Sequence, residues 1–305
     1  MTATLITCSF SGDLEACRLL CASVDRFAPD NIAHILYVPR RDMLLFAEMA
    51  TPRRTLAAQE DLLPRWFWKA PLPSPKWRAR LNLPRRNLYL TPFSPPVRGW
   101  IAQQIMKIAA TLRAPTDVVA HVDSDNVFVR PLGLSHFIRD GRVRFYADSR
   151  SIGLPTHKAW YAAAGRLLGL PPADFYSADY VGQFVVWRRS VVEKMVAQIT
   201  TATRRDWRVA LARTPHFAEY VLYGVFVERM LGVDVAGLFI EPRSLCHSRW
   251  EKPFADEADE SAFVSALPAD AIACVIQSTI AMPPDERARV FARVTRFAEE
   301  EDAKL

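Results

Sequence analysis

Val118-Val119-Ala120-His121-Val122-Asp123-Ser124-Asp125-Asn126-Val127-Phe128-Val129 is the stretch on which the reading of this chain turns. Its first five residues form a run short enough for a strand and apolar enough to be central in a sheet. The run delivers two carboxylates separated by one residue. In an open parallel sheet, side chains just past a strand's carboxyl end face the ligand crevice. There one carboxylate can bind a divalent cation directly and the other directly or through water, while the cation bridges to diphosphate oxygens. Such a cation neutralises charge on a departing nucleoside diphosphate. A bare D-x-D is common, so its surroundings decide.

Upstream, a helix is expected from about Arg98 to Arg113, with Ile101, Ile105, Ile108 and Leu112 as its apolar stripe. Gln103, Gln104, Lys107 and Thr111 lie largely off that stripe. The chain opens with a buried strand, Thr4 to Phe10, and a Ser11-Gly12-Asp13 turn. A helix to about Phe27 and a second strand, Ile32 to Val38, complete a βαβ unit, which implies a parallel sheet. Downstream, Phe145 to Asp148 and Tyr180 to Trp187 read as strands, as does Asp234 to Ile240. Helices are expected around Lys158–Leu168, Ser190–Ile199, after Pro215, and over Pro284–Phe297. No internal repeat or low-complexity linker interrupts this order. The expectation is one α/β domain over residues 1–305, Rossmann-like, with a mostly parallel sheet flanked by helices and a C-terminal elaboration over 254–305.

Charge is unevenly placed. The 305 residues carry a net +6, yet Leu62 to Thr116 holds ten Lys or Arg and no acidic residue. Within it, residues 62–100 contain eight prolines and four tryptophans (Trp66, Trp68, Trp77, Trp100), which reads as an irregular basic insertion. Such a segment favours an anionic partner and also suits a membrane surface. A plain loop whose tryptophans pack on the core is the alternative. No apolar run is long enough to span a bilayer and the start lacks signal-type features, so a cytoplasmic protein is expected. The five cysteines show no C-x-x-C spacing and read as buried free thiols.

Arg98-Gly-Trp-x-x-Gln-Gln-x-x-Lys107, followed by the strand and Asp123-Ser124-Asp125, resembles the helix-strand-DxD core of GT-A glycosyltransferases. The likeness is greatest to a bacterial group with a Ser-rich first strand, V-P-x-x-D after the second and a later E-Y-x-x-Y-G. Here these are Cys8-Ser9-Phe10, Val38-Pro39-Arg40-Arg41-Asp42 and Glu219-Tyr220-Val221-Leu222-Tyr223-Gly224. The resemblance implies that Asp123 and Asp125 hold Mn²⁺ or Mg²⁺ beneath a nucleotide-sugar donor, with a glycan or other hydroxyl acceptor. It places Ser9, Phe10, Asp13 and Ser124 beside the nucleotide, and Gln104 and Lys107 toward the nucleoside or phosphates. His247 with Lys252-Pro253 is similar to the third metal ligand and diphosphate lysine of glycogenin-like enzymes, at a shorter spacing and without the intervening glycine. Gln183 would meet the donor sugar, and Asp179 and Tyr223 the acceptor. Glu219 is the candidate general base, since an inverting transferase needs a carboxylate to take the acceptor's proton.

Two other readings compete. Asp-Ser-Asp-Asn-Val also fits the opening of haloacid-dehalogenase-like phosphohydrolases, with Asp123 as nucleophile. That motif ends a domain's first strand, whereas here a βαβ unit precedes it. A non-catalytic binder of anionic ligands through residues 62–116 is the third, although no nucleic-acid motif accompanies the charge and no nucleic acid is expected.

Overall fold

The computed structural model describes residues 2–71, 80, 87–151 and 155–304. Strand β1 (Ala3–Cys8) is buried along its whole length. Helix α1 (Leu14–Phe27) turns Cys17, Leu20, Cys21 and Val24 inward and stops at Ala28, whose extended backbone is what the following Pro29 favours. Strand β2 (Ile32–Val38) then pairs parallel with β1. A strand not expected from the sequence, β3 (Arg54–Ala58), pairs parallel with β2. The basic insertion is not wholly irregular. It contributes β4 (Trp68–Lys69), β5 (Leu88–Leu90) and β6 (Val97–Arg98), a small antiparallel sheet. Its Trp77 lies outside the described residues.

Helix α2 (Gly99–Arg113) leads into β7 (Val118–Val122), all five residues of which are buried, and β8 (Asn126–Phe128) follows the D-x-D turn. Beyond it come β9 (Ile138–Arg139), β10 (Arg142–Tyr146), α3 (Lys158–Leu168) and β11 (Phe184–Arg188). Then follow α4 (Arg189–Thr203), α5 (Trp207–Ala212) and α6 (Glu219–Phe226), which runs on into a π-turn over Val227–Leu231. The chain continues through β12 (Leu238–Glu241), β13 (Cys246–Arg249), α7 (Glu257–Ser265), β14 (Ala273–Ile276) and α8 (Pro284–Asp302).

The central sheet has the order β11-β7-β1-β2-β3, parallel except for β11. Its polar interior is wired across the strands. Arg54 donates from Nε to His34 Nδ1 (2.9 Å), which leaves the His34 Nε2 proton for Thr7 Oγ1 (3.0 Å), and Thr7 donates to the Val122 carbonyl (2.9 Å). Burial, then the Arg54 charge, push the His34 pKa down to about 3, so the ring stays neutral. A second small sheet, β13-β14-β8, binds the C-terminal residues to the strand that follows the D-x-D. Beneath it Val127, Val129, Phe263, Ile276, Val290 and Phe291 form a separate apolar cluster. All five cysteines are buried free thiols. Among the described residues, no helix is long and apolar enough to cross a membrane.

Candidate functional site

Asp123 leaves the carboxyl end of β7 and meets a buried cation. Helix α2 packs so deeply that Gln104 and Lys107 are only 2% and 6% exposed, so neither lies on a solvated face. Lys107 Nζ lies 3.0 Å from Asp123 Oδ1, 3.3 Å from its Oδ2 and 3.4 Å from Glu219 Oε1. It also donates to the Tyr220 hydroxyl at 3.0 Å. Gln104 Oε1 accepts the Glu219 backbone N–H (2.9 Å), one of the amides that the start of α6 leaves without a helical partner. Two helices and a strand end are thus fastened at one point. Burial works against the Lys107 charge, but Asp123, Tyr220 and Glu219 hold its pKa well above the ordinary lysine value. Burial raises Glu219, with Lys107 pulling the other way.

Asp125 has a different setting. It is 8% exposed, its Oδ2 accepts the Ser278 backbone N–H (2.8 Å), and its Oδ1 faces the Asn126 side-chain amide (3.3 Å). Burial first, then the Asp123 charge, push its pKa up to about 6. Ser278 sits in the loop after β14, which Arg287 of α8 clamps through the carbonyls of Ile276, Gln277 and Ile280. Ser124 Oγ donates to Asp13 Oδ2 (3.2 Å), linking the turn to the loop after β1. Between these parts opens a cavity of about 420 Å³ whose walls include Gly12, Asp13, Asp125, Ser278, Met282 and Arg287.

The structure therefore brings together Asp13, Gln104, Lys107, Asp123, Ser124, Asp125 and Glu219. Ser9 is buried close by, its carbonyl accepting the Gln59 amide, and Phe10 is 44% exposed with its ring folded over Gly12. That ring comes within 2.4 Å of where a Cβ at residue 12 would sit, so any larger residue there would push the Phe10 ring aside. Gln183 is buried and donates to Gln277 Oε1 (3.0 Å) in the same Ser278 loop.

Four expected contributors lie outside that cluster. His247 Nε2 donates to the Phe263 carbonyl (2.9 Å) and its ring stacks on Phe263 at 4.2 Å. Among the described residues no three His, Cys, Asp or Glu side chains converge as a metal site, so His247 does not join Asp123 and Asp125. Strand alternation gives the reason. Cys246 points inward, its Sγ donating to Asn126 Oδ1 (3.4 Å), and the next residue on β13 faces away. Lys252 is exposed in the loop beyond, where its carbonyl accepts from Arg249. Tyr223 is 1% exposed, stacked on Trp187 at 5.1 Å and accepting the Arg188 amide, so it is a core residue out of an acceptor's reach. Asp179 is buried beside His157. Tyr220, Gln277, Ser278 and Arg287 belong to the site without having been singled out. Only Tyr220, next to Glu219 in the E-Y motif, carried a visible signal.

Fold and site together define an α/β protein with a cluster of charged side chains at the carboxyl ends of β1 and β7. The chain belongs to a family of unknown function (DUF6492), whose model matches residues 3–301. No curated protein sequence matches it. Among solved structures it is similar to the galactosyltransferase LgtC, at 11% identity and a TM-score of 0.44, with 97% of this chain and 95% of that one covered. It is also similar to the bifunctional glycosyltransferase WbbM, at 14% identity and a TM-score of 0.49, with 98% of this chain and 51% of that one covered. For mouse xyloside xylosyltransferase 1 the identity is 10% and the TM-score 0.46, with 93% of this chain and all 100% of that one covered. At such scores the likeness is one of overall shape.

Proposed function

We propose that the protein is a GT-A type glycosyltransferase that moves a sugar from a nucleotide-sugar donor to a hydroxyl acceptor. One observation carries this reading: Asp123 and Asp125 stand at the carboxyl end of a buried strand, with Lys107 and Glu219 on one side and Asp13 and a cavity on the other. Two carboxylates without a third protein ligand suit Mg²⁺ or Mn²⁺, whose shell substrate phosphates and water can complete. A bound cation would supply charge neutralisation on the leaving diphosphate.

The protein's own groups have separable parts. Asp123 and Asp125 hold the cation, and Asp13 and Ser124 shape the donor side of the turn. Lys107 holds the Asp123 carboxylate in place. Glu219 takes the acceptor's proton. Burial raises its pKa, the direction a base working near neutrality needs, and contacts to a base tighten once the acceptor binds.

The test is a thermal-shift screen of nucleoside diphosphates and nucleotide sugars, with and without Mn²⁺. One nucleotide is expected to raise the melting temperature in a metal-dependent way, and Asp123→Asn with Asp125→Asn to remove the shift. Absence of any nucleotide-dependent shift, or a phosphoryl group trapped on Asp123, would overturn the reading.

A further inference from the structure

Three aromatic rings from two distant parts of the chain line up at the rim of the site. Trp100, in the first turn of α2, is 41% exposed and lies 5.9 Å from the half-buried Trp160 of α3, their planes tilted by 35°. His157, just before α3, stacks on Trp160 at 4.4 Å and 26°. His157 Nδ1 is 3.6 Å from the buried Asp179 carboxylate. Asp179 is held in turn by a two-bond backbone bridge to Asp148 (2.9 and 3.0 Å). The row therefore runs from an exposed indole to a carboxylate fixed in place.

Its position relative to the charged cluster follows from helix geometry. Trp100, Gln104 and Lys107 are spaced i, i+4, i+7 and share one face of α2. At 1.5 Å per residue, Trp100 stands about 10 Å along the axis from Lys107. Because α2 precedes a parallel strand, its N-terminus lies at the sheet's carboxyl edge, so those 10 Å (approximately) lead out of the cluster toward the rim of the ligand crevice. The Gln104 amide bridges the interval, with Nε2 on the Trp100 carbonyl (3.5 Å) and Oε1 on the Glu219 amide (2.9 Å).

An exposed indole backed by a second indole, in a row that ends on a carboxylate, offers a saccharide both kinds of contact it makes. The C–H face rests on an aromatic plane, and the hydroxyls donate to carboxylate oxygens. A phosphate-bearing ligand would meet the Asp179 carboxylate unfavourably, whereas Asp148 is already paired with Arg150. We propose that Trp100, Trp160, His157 and Asp179 form a saccharide subsite, where a sugar ring of the acceptor stacks while its reacting hydroxyl reaches toward Asp123 and Glu219. The acceptor role rests on the transferase reading, whereas sugar binding at this site does not.

A glycan array probed with the fluorescently labelled full chain separates the two. Wild type should label a subset of glycans. Trp100→Ala should cut that signal by about fivefold or more, and Trp100→Phe should restore most of it. Trp100→Ala should keep its nucleotide-dependent thermal shift, which also shows that it folds. Asp123→Asn with Asp125→Asn should lose the nucleotide shift and keep the glycans. Glycan binding indifferent to Trp100→Ala, or no glycan bound by wild type, overturns the subsite and leaves the transferase reading to its own test. Trp100-dependent glycan binding in a protein that binds no nucleotide keeps the subsite and overturns only the transferase.

Discussion

Asp123 and Asp125 are two residues apart in the chain and belong to different worlds. The Asp123 side is organised by charge. One buried lysine serves two carboxylates and a phenol, contributed by β7 and α6. The Asp125 side is organised by a backbone. A single amide from the loop after β14 meets a buried carboxylate that, among the described residues, no cationic side chain directly pairs. The first arrangement holds its geometry in isolation, because cation and anions satisfy one another. The second leaves a carboxylate whose ionisation is costly until an outside cation arrives. A turn built this way offers one fixed ligand and one that metal binding completes.

Three substitutions break or sharpen that contrast, given from the largest effect to the smallest. Lys107→Ala strands Asp123 and Glu219 without their counter-charge, and should destabilise the protein by about 3–5 kcal/mol in urea unfolding. Asp125→Asn should act in the opposite direction. Because the folded pKa is raised from 3.8 to about 6, the folded state keeps a proton that the unfolded chain has already released. Stability from this group is complete below pH 4 or so, and is lost as pH rises through about 6, amounting to about 3 kcal/mol. The variant should therefore show a flatter stability profile from pH 4 to 7 (approximately) and greater stability at neutrality, without nucleotide binding. A wild-type profile that rises across that window would contradict the contrast. Arg287→Ala frees the Ser278 loop from its clamp and should cost about 2 kcal/mol. It should weaken metal-dependent nucleotide binding on the Asp125 side while leaving the Lys107–Glu219 pair intact, as read from thermal shifts with and without Mn²⁺.

The βαβ opening and the helix-strand-D-x-D block could be read in the sequence because their apolar periodicities are clean. Arg54–Ala58 escaped because the strand opens on an arginine, and only the fold reveals that Asp25 pairs its charge while His34 accepts its Nε proton. Ala273–Ile276 is four apolar residues, too short for periodicity to separate strand from helix. Asp123, Asp125 and Lys107 were visible as residue types at telling positions. Ser278 was invisible because it acts through its peptide N–H, which every residue but proline possesses. His247 attracted notice by chemistry alone. Its face was decided by alternation along a strand whose existence the sequence had not declared.

The pairing of β14 with β8 has a consequence for the order of events in synthesis. The strand that leaves the D-x-D turn finds its partner almost 150 residues later, at Ala273–Val275, and the loop clamp waits for Arg287. A growing chain can assemble β1, β2, β3 and β7 while still attached to the ribosome. Its Asp125 stays without the Ser278 amide until that downstream segment emerges. Competence at this turn is thus a later event than closure of the β1-β2-β7 core, because its partners lie far downstream.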